Sequence, residues 1–448
     1  MEIIMLDDSD FLNRITSVVP SQRQIDFQNM KYYNMVCFGL NTFTKKEWGS
    51  GRVDPSVFTL KDIDTDEWAE ALKSTGSTGI ILTAKHHDGF CLFPSRFTDY
   101  TIASTAYRGG NGDIVKQLSD SCKKYGLKFG IYLSPWDRNN ESYGTDSYND
   151  FFCNQLTELC TNYGDIFCFW FDGACGEGEN GKKQIYDWER YFEIIRTLQP
   201  GAVISNCGPD VRWIGNEHGE PRKSEFSVLP KRLQDHINIA AASQQKAGAT
   251  VMLKSLDFTD RTLGEREQLN GEELCWYPAE MNIPITYIGW FWRPLFETFF
   301  TRSVKNLLKC YYTSVGANAT LLVNVPPDDK GKLPEKYINR LKKAREKAER
   351  RFSDRIEIKT DETTDNGRRV TFFESNIHTV VLSEDVTKSQ RVERFRLVAN
   401  SKTVYSGTTI GFKKICILKK PLKKCTRLEL IIDECRKEPY IKDIKIYG

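Results

Sequence analysis

The chain has 448 residues, of which 63 are basic and 60 acidic, so its formal net charge is +3. This balance provides no overall attraction for nucleic acid or an anionic membrane surface, and 40% apolar with 12% aromatic residues excludes a disordered chain. The chain has no apolar run near the roughly 20 residues of a membrane span, and MEIIMLDDSD does not resemble a signal peptide, so a soluble globular protein is expected.

Between residues 32 and 326, short apolar runs alternate with segments of helical period. Near-continuous apolar strands between helices are typical of a parallel sheet covered on both faces. The repetition favours a (β/α)8-like barrel, and the chain has no G-x-G-x-x-G that directly follows a strand and opens a helix, as a dinucleotide-binding fold requires. The predicted strands are 79–84, 129–134, 166–171, 202–205 and 321–325, and the predicted helices are 66–75, 112–125, 147–163, 187–199 and 296–315.

Two further segments depart from this alternation. Residues 227–275 are polar and too long for an ordinary connection, which indicates a functional or flexible excursion. Residues 336–352 form a predicted basic helix, which could bind nucleic acid or be the solvated outer face of a barrel helix. We favour the solvated face because no aromatic platform accompanies the basic residues.

The sequence changes character after Phe352, where short runs of β-forming residues alternate with turns. This pattern is typical of an antiparallel β-sandwich. We therefore predict an α/β fold in which a barrel with a short N-terminal extension, over 1–352, is followed by a C-terminal antiparallel β-sandwich over 353–448. The sandwich strands include 369–373, 379–382, 395–398 and 428–432.

Thirteen cysteines are scattered from Cys37 to Cys435 without a C-x-x-C pair, so we expect no structural zinc site. Their number is odd, and several lie in strongly apolar runs, such as Cys168. We interpret most of them as buried free thiols that pack as small hydrophobic residues. Together with the missing export signal, these thiols predict a cytoplasmic location.

Polar side chains follow several of the predicted strands at the point where each strand ends. His86 and His87 follow the first of these strands, and Asp172 follows the third. Glu217 lies shortly after the fourth. Because reactive groups in a (β/α) barrel lie at the carboxyl ends of the strands, we expect these side chains at one rim.

Each of these residues also has a purely structural interpretation. The two histidines could be hydrogen-bonded in the barrel mouth, and a metal site that joins them to Asp88 is disfavoured because the chain has only five histidines. Asp172 could cap a turn, although a carboxylate after an apolar strand costs stability unless it is used. Glu217 considered alone would be a surface residue.

Taken together, carboxylates, histidines and tryptophans at one rim favour a carbohydrate site. A neutral polyol needs many hydrogen-bond partners and aromatic faces for its apolar patches. Cleavage of an acetal also needs two carboxyl groups in unlike environments.

A set of ordered segments makes this interpretation specific. They are CFGLNTFT at 37–44, EWG at 47–49, LTAKHHDGF at 82–90, YLSPWD at 132–137, WFDGA at 170–174, GPDVRWIGNE at 208–217, PAE at 278–280 and GWFW at 289–292. The segments resemble the α-L-fucosidases of glycoside hydrolase family twenty-nine, and most of all the subgroup that acts on α-1,3/1,4-linked fucose. The resemblance runs collinearly from about Pro20 to the end of the chain and includes QRVERF at 390–395 and GTTIG at 407–411.

The resemblance implies a retaining exo-α-L-fucosidase that removes α-1,3/1,4-linked fucose from branched Lewis-type oligosaccharides by double displacement. It implies Asp172 as the nucleophile and Glu217 as the general acid/base. Glu280 is the second acid/base candidate and otherwise a ligand to the sugar or its neighbour, and Trp290 is expected on the aglycone side. The implied fucose pocket comprises Glu47, Trp48, His86, His87, Tyr132 and Trp170.

The resemblance implies neither a metal nor an organic cofactor. The expected partner is a fucosylated oligosaccharide or glycoconjugate, rather than nucleic acid or a membrane, and the oligomeric state is left open, with a monomer allowed. The C-terminal domain is expected to buttress the barrel, with sugar binding as the alternative.

One departure from the family pattern lies in the first strand motif, where Cys37 replaces the usual histidine. A thiol is shorter than an imidazole and is a weak hydrogen-bond donor and acceptor. We therefore expect a pocket enlarged or shifted near the axial hydroxyl, with lower activity on fucose or tolerance of a related sugar.

The alternatives are a glycosidase for a fucose-like sugar, such as L-galactose, and a carbohydrate-binding protein that has lost turnover. A binding protein, however, has no need of both Asp172 and Glu217.

Overall fold

The computed structural model describes residues 8–236, 258 and 260–448. Its largest sheet has eight parallel strands, hydrogen-bonded in the order fifth, fourth, third, second, first, tenth, ninth and sixth along the chain. Strands seven and eight form a separate antiparallel pair. The strands are β1 (Tyr32–Val36), β2 (Gly79–Lys85), β3 (Lys128–Leu133), β4 (Ile166–Phe171), β5 (Val203–Asn206), β6 (Arg212–Trp213), β7 (Val228–Pro230), β8 (Leu274–Trp276), β9 (Ala279–Pro284) and β10 (Ala319–Asn324).

The parallel sheet closes into a barrel at a seam between β5 and β6. A single parallel bridge joins Ser205 to Val211 there, and the backbone N–H of Asn206 donates to the Val211 carbonyl at 3.0 Å. Asn206 has a φ of +67°, a left-handed conformation that asparagine tolerates better than most residues. The described residues 207–211 therefore return the chain to β6 without a helix, which departs from the predicted strict alternation.

The helices that cover the barrel begin with the caps that the sequence provides. Asp64, Asp113 and Asp187 each accept a backbone N–H from the first turn of the following helix. Four predicted helices are confirmed within one or two residues, as α4 to α7. Within the described residues the helices are α1 (Asp8–Ser17), α2 (Gln22–Met30), α3 (Leu40–Thr44), α4 (Thr65–Ser74), α5 (Ile114–Tyr125), α6 (Asp146–Asn162), α7 (Trp188–Leu198), α8 (Pro294–Phe300), α9 (Val304–Ser314) and α10 (Glu335–Arg351).

The prediction of one continuous helix over 296–315 is wrong, because α8 and α9 are separate. Thr301 leaves the helix and forms an antiparallel bridge with Thr286, in the loop after β9. The helix starts again after Ser303, whose side chain caps the first turn of α9. The helix is thus interrupted where Thr301 pairs with Thr286 and where Ser303 caps a new helix.

Three barrel strands, β1, β6 and β9, were not among the predicted strands, and β6 has only two residues. β9 carries Glu280 and Asn282 into the barrel interior, and β1 contains Asn34, all three of them buried. These residues interrupt the apolar run on which the strand predictions depend.

The C-terminal part is an antiparallel sheet, as predicted. It is one hydrogen-bonded sheet of seven strands, in which the two longest strands, β13 and β16, change register between Thr371 and Thr379. Apolar side chains from both halves of β13, such as Val370 and Val380, belong to one core, so the sheet folds over its own apolar face. The strands are β11 (Arg355–Ile356), β12 (Ile358–Thr364), β13 (Gly367–Glu384), β14 (Val392–Ala399), β15 (Lys402–Gly407), β16 (Lys414–Cys435) and β17 (Ile441–Tyr447).

The C-terminal sheet is hydrogen-bonded to the segment that follows β6. The side chain of Gln390 accepts the backbone N–H of Ser227 at 2.7 Å, and Lys414 donates through Nζ to the carbonyl of Lys223, also at 2.7 Å. The core of this sheet begins at Ile356 and is separate from that of the barrel. The boundary near residue 353 stays a prediction.

Part of the predicted excursion at 227–275 lies outside the described residues, namely 237–257 and 259. The predicted basic helix corresponds to α10, which buries Tyr337, Ile338 and Leu341 against the barrel and exposes basic residues on its other side. None of the helices within the described ranges combines the length and the hydropathy that crossing a bilayer requires.

A buried ion triad fastens β6 to the segment that follows it. Glu225 accepts from Arg212 at 2.7 Å and from Arg222 at 3.0 Å, and all three side chains are buried. Although burial raises the pKa of Glu225, the two guanidinium groups outweigh that effect and lower it below its usual value. Attraction between the opposite charges therefore holds this buried triad together.

We expect Glu225→Gln to destabilise the protein strongly. The substitution leaves two buried guanidinium groups without their counter-charge, which costs about 3–5 kcal/mol when a buried pair is broken. Denaturant unfolding measures the loss. The control is Asp120→Asn, which breaks the exposed pair between Asp120 and Lys116 on α5. A loss as small as that of the control would show that the triad does not hold this part of the barrel.

Candidate active site

A cavity of about 420 Å³ opens where the carboxyl ends of the barrel strands meet. This volume is within the range of small-molecule sites. Its walls come from β1, β3, β4 and the loops that follow β1, β2, β4, β6 and β9. Every residue predicted for the site except Glu280 lines it: Cys37, Glu47, Trp48, His86, His87, Tyr132, Trp170, Asp172, Glu217 and Trp290.

Asp172 directly follows β4 and is held by two neutral donors. Its Oδ2 accepts from the Tyr132 hydroxyl at 2.7 Å, and its Oδ1 accepts from the backbone N–H of Ala174 at 2.8 Å. Nε2 of His87 lies 3.7 Å from Oδ2. Burial raises the pKa of Asp172, and the Ala174 and Tyr132 donors partly offset this effect because they stabilise the ionised form.

His87 is fixed in one orientation and one tautomer by Ser134. The Ser134 hydroxyl lies 2.7 Å from Nδ1 of His87 and donates its single proton to the Trp136 carbonyl, also at 2.7 Å. Nδ1 must therefore carry the hydrogen of the first contact. Burial lowers the pKa of His87 to about 3, so the ring is neutral. Its Nε2 presents a lone pair that can accept a hydroxyl proton from a ligand.

Aromatic rings form the inner wall of the cavity. The rings of His86 and Tyr132 are nearly parallel with centroids 5.7 Å apart, and those of Tyr132 and Trp170 with centroids 5.3 Å apart. Trp48 stands at a right angle to His87, 5.8 Å away. These rings offer flat apolar faces beside the polar groups of Asp172 and the histidines.

Glu217 lies on the loop after β6, at the mouth of the cavity. Its Oε2 accepts from Nε1 of Trp290 at 3.0 Å. The residue is exposed at the rim, but protein atoms around its carboxyl still desolvate the charge. This desolvation raises the pKa of Glu217 to about 7, to which the negative charges of Asp172 and Glu47 contribute and which the Trp290 donor opposes.

Glu47 and Cys37 complete the lining. Glu47 accepts the backbone N–H of Trp290 and lies 3.5 Å from Nη2 of Arg293. The backbone N–H of Cys37 donates to the Asn324 side chain at 3.1 Å, and burial raises the pKa of the thiol well above its usual value. The sulfur atom at this wall is therefore neutral at physiological pH.

A larger cavity, of about 600 Å³, lies at the opposite end of the barrel between α9 and α10. Its lining is mainly apolar, and Glu349 is the single acidic residue among the described residues that form it. The smaller cavity, with three carboxyl groups and two histidines, is therefore the candidate active site. In the part of the chain that the structure describes, no group of three histidine, cysteine, aspartate or glutamate residues is arranged to hold a metal ion.

The comparison with known protein families agrees with this choice. A sequence model described as Alpha-L-fucosidase matches residues 19–346. The chain belongs to the α-L-fucosidase family. It is thus a glycoside hydrolase. It is similar to Alpha-L-fucosidase 1 of Arabidopsis thaliana, at 33% identity over an alignment 470 residues long. The alignment covers 96% of this chain and 87% of that protein.

Solved structures share the fold of this fucosidase. A crystal structure assigned as an α-L-fucosidase of Bacteroides ovatus has 39% identity and a TM-score of 0.89, and covers 99% of this chain and 76% of that chain. A Ruminococcus gnavus fucosidase of glycoside hydrolase family 29, solved in complex with fucose, has 26% identity and a TM-score of 0.78. That match covers 100% of this chain and 96% of that chain.

Glu280 lies beneath the cavity of the fucosidase rather than in its wall. Its carboxyl accepts from Nε1 of Trp170 at 2.9 Å and from the hydroxyl of Tyr33, and the residue is 1% exposed. Burial raises the pKa of Glu280 to about 7. The position contradicts direct contact with the sugar and leaves Glu280 as a support for the Trp170 ring.

Several lining residues of the fucosidase were not predicted from the sequence. Arg293 and Phe296 lie at the mouth, with the guanidinium 4.7 Å above the phenyl ring. Arg293 directly follows the GWFW segment, so its position beside that segment was a usable signal. Met35 lies inside β1, where the local sequence gives no indication of its role. Ser134 lies behind His87 rather than in the lining, and its place in the YLSPWD segment was a usable signal.

Proposed function

We propose that this fucosidase is a retaining exo-enzyme that removes α-1,3/1,4-linked fucose from branched Lewis-type oligosaccharides. In this proposal Asp172 is the nucleophile and Glu217 is the general acid/base. The observation that carries it is that these two carboxyl groups line one cavity and have unlike surroundings. Two donors stabilise the ionised form of Asp172, whereas Glu217 has one donor and a pKa near 7.

The reaction follows from these two environments. Asp172 attacks the anomeric carbon, and the carbon–oxygen bond to the leaving group breaks as Glu217 donates its proton to that oxygen. A fucosyl ester on Asp172 results. Glu217, now ionised, takes a proton from water, which attacks the same carbon and releases fucose and the Asp172 carboxylate. The negative charge of Asp172 helps Glu217 to retain its proton before the first step.

The cavity suits a single terminal sugar. The buried rings of Tyr132 and Trp170 close its inner end, which supports exo action. The lone pair on Nε2 of His87 and the carboxylate of Glu47 supply acceptors for sugar hydroxyls, and Trp48 supplies an apolar face. The Ruminococcus gnavus relative, which binds fucose, supports the choice of sugar.

The linkage and the location of the enzyme are inferred on separate grounds. The α-1,3/1,4 preference rests on the resemblance of the sequence segments to that subgroup, with Trp290 beside Glu217 on the side where the leaving group departs. A cytoplasmic location is inferred because the thirteen cysteines, all within the described ranges, form no disulfide.

Fucose release by the purified enzyme tests the proposal. A simple aryl α-L-fucoside is compared with a branched Lewis trisaccharide, and the reaction is followed by proton NMR. We expect release from the trisaccharide, with α-fucose as the first-formed anomer because two inversions retain configuration. Asp172→Ala is expected to lower the rate by a factor on the order of 10⁴ or more.

Each other outcome of this experiment has a defined meaning. Initial β-fucose would contradict double displacement. Cleavage of the aryl fucoside alone would support the fucosidase activity and contradict the proposed branched substrate. Binding of the trisaccharide in calorimetry without release from either compound would favour the carbohydrate-binding alternative.

The Trp290→Phe substitution tests the role of Glu217 through pH dependence. Because the general acid must be protonated, kcat/KM should fall as pH rises through the Glu217 pKa of about 7. Removal of the indole N–H takes away a donor that stabilises the carboxylate, so the alkaline limb should move to higher pH, by at most about one unit.

The matched control is Trp292→Phe. Nε1 of Trp292 donates to Glu297 at 2.7 Å instead of to Glu217, so its alkaline limb should stay in place. If Trp290→Phe leaves the pKa of the alkaline limb unchanged, Glu217 is not the general acid.

A second candidate, a glycosidase for a fucose-like sugar such as L-galactose, is favoured by one observation. The neutral thiol of Cys37 stands in the cavity wall where the family usually has a histidine. Compared with an imidazole, the thiol leaves more space in the wall and removes a strong hydrogen-bonding group. Both changes are expected for a pocket adapted to a sugar with a different substituent.

The Cys37→His substitution separates an adapted pocket from an impaired one. In an adapted pocket the larger imidazole should lower kcat/KM on the preferred sugar by about tenfold, equivalent to one lost hydrogen bond. The panel comprises aryl α-L-fucoside and aryl α-L-galactoside, and Cys37→Ser serves as a control of similar size. A large gain on the fucoside would show instead that Cys37 merely weakens a fucose pocket.

A further inference from the structure

Arg302 lies in the short segment between α8 and α9 and is completely buried. A buried guanidinium is costly unless its donors are satisfied, and it is usually paired with a carboxylate. Here desolvation lowers the pKa of Arg302, and the groups that oppose this effect are Cys310 and Tyr287. The cation is thus retained by a set of neutral acceptors, which indicates that its hydrogen bonds have a specific use.

The donors of Arg302 connect three parts of the barrel end. Nε donates to the carbonyl of Pro284, the last residue of β9, at 2.8 Å. Nη1 donates to the carbonyl of His218 at 3.3 Å and to the Asn306 side chain at 3.0 Å, and Nη2 donates to the carbonyl of Glu217 at 3.3 Å. Two of the four contacts therefore go to the backbone of the loop that carries Glu217.

That loop needs an external support. Its strand, β6, has only two residues, and both Gly215 and Gly219 have positive φ angles, of +98° and +82°. Within the loop, the Asn216 side chain accepts the N–H groups of His218 and Glu220, which shapes the turn. Such internal bonds give the turn its form but do not fix its distance from the cavity.

We propose that Arg302 is a positioning residue for the acid/base carboxyl. It fixes the backbone of Glu217 against β9, while Trp290 holds the carboxyl itself, so the side chain is placed from both ends. The inference rests on the proposed acid/base role of Glu217. It adds a residue that touches neither the sugar nor the reacting atoms and acts through Glu217 alone.

The test compares two substrates whose leaving groups differ in their need for protonation. Protonation by the acid is essential when a sugar departs but dispensable for 2,4-dinitrophenolate, which leaves readily as an anion. For Arg302→Met we therefore expect kcat/KM on a fucosylated oligosaccharide to fall about 10²-fold, and kcat/KM on 2,4-dinitrophenyl α-L-fucoside to fall less than about fivefold. Arg302→Lys, which keeps the cation but not the forked donors, should show the same selectivity with a smaller loss.

The matched control is Arg340→Met. Nη1 of Arg340 donates to the carbonyls of Thr301 and Arg302 at 2.9 and 2.8 Å, so it supports the same segment from the outer side. The control should affect both substrates by the same factor or leave both unchanged. An equal loss on both substrates for Arg302→Met would overturn the inference and make Arg302 a general support of the fold.

Glu217→Ala provides the reference that separates this inference from the proposed function. This variant should lose more activity on the oligosaccharide than Arg302→Met does, while it retains activity on the dinitrophenyl fucoside. Added azide should restore its turnover, with α-L-fucosyl azide as product. If Glu217→Ala loses both substrates equally, the proposed acid/base role fails. If it shows the selectivity and Arg302→Met does not, only the positioning role fails.

Tyr287→Leu decides the matter if both Arg302 variants fail to fold. The Tyr287 ring lies 4.7 Å from the guanidinium carbon and is 46% exposed, so its removal loosens the guanidinium without opening the core. A selective loss on the oligosaccharide supports the inference, and an unchanged ratio between the two substrates overturns it.

Discussion

Removal of water from carboxyl groups is the constraint on which this site depends. Burial is the main cause of the raised pKa of Asp172, Glu217 and Glu280. The side chains that donate to them are tyrosine hydroxyls and tryptophan indoles. A lysine or arginine in their place would hold the pKa values low. Neutral donors orient the carboxyls and leave their proton affinity high, which suits a pair in which one member must hold a proton while the other is ionised.

The irregular part of the barrel depends on the second domain and on buried charge. Where β5 passes to β6 without a helix, the triad around Glu225 and the contacts of Gln390 and Lys414 hold the segment after β6. The C-terminal sheet therefore stabilises the side of the barrel from which the Glu217 loop emerges. This arrangement favours the buttressing role over a separate sugar-binding role for the domain.

Apolar continuity determined which elements could be predicted from the sequence. β2 and β4 are almost uninterrupted apolar runs, whereas β9 carries Glu280 and Asn282 into the barrel interior and so breaks the pattern. The lining residues were accessible because they follow strands or lie in family-like segments. The sequence did not show how deeply a residue is buried or which distant residues it contacts. No local feature shows that Glu280 lies under Trp170, or that Arg302 bonds a carbonyl 85 residues earlier in the chain.

The seam between β5 and β6 also gives the two carboxyls different mechanical surroundings. β4, which leads to Asp172, is paired along its length with β3 and β5, whereas the two residues of β6 are paired with β9 and reach β5 through one bridge. Local opening requires less free energy where fewer backbone bonds must break. In the proposed reaction, the nucleophile therefore stands on the more rigid element of the sheet. The acid/base carboxyl stands on a loop whose position depends on side-chain contacts, such as that of Arg302, rather than on strand pairing.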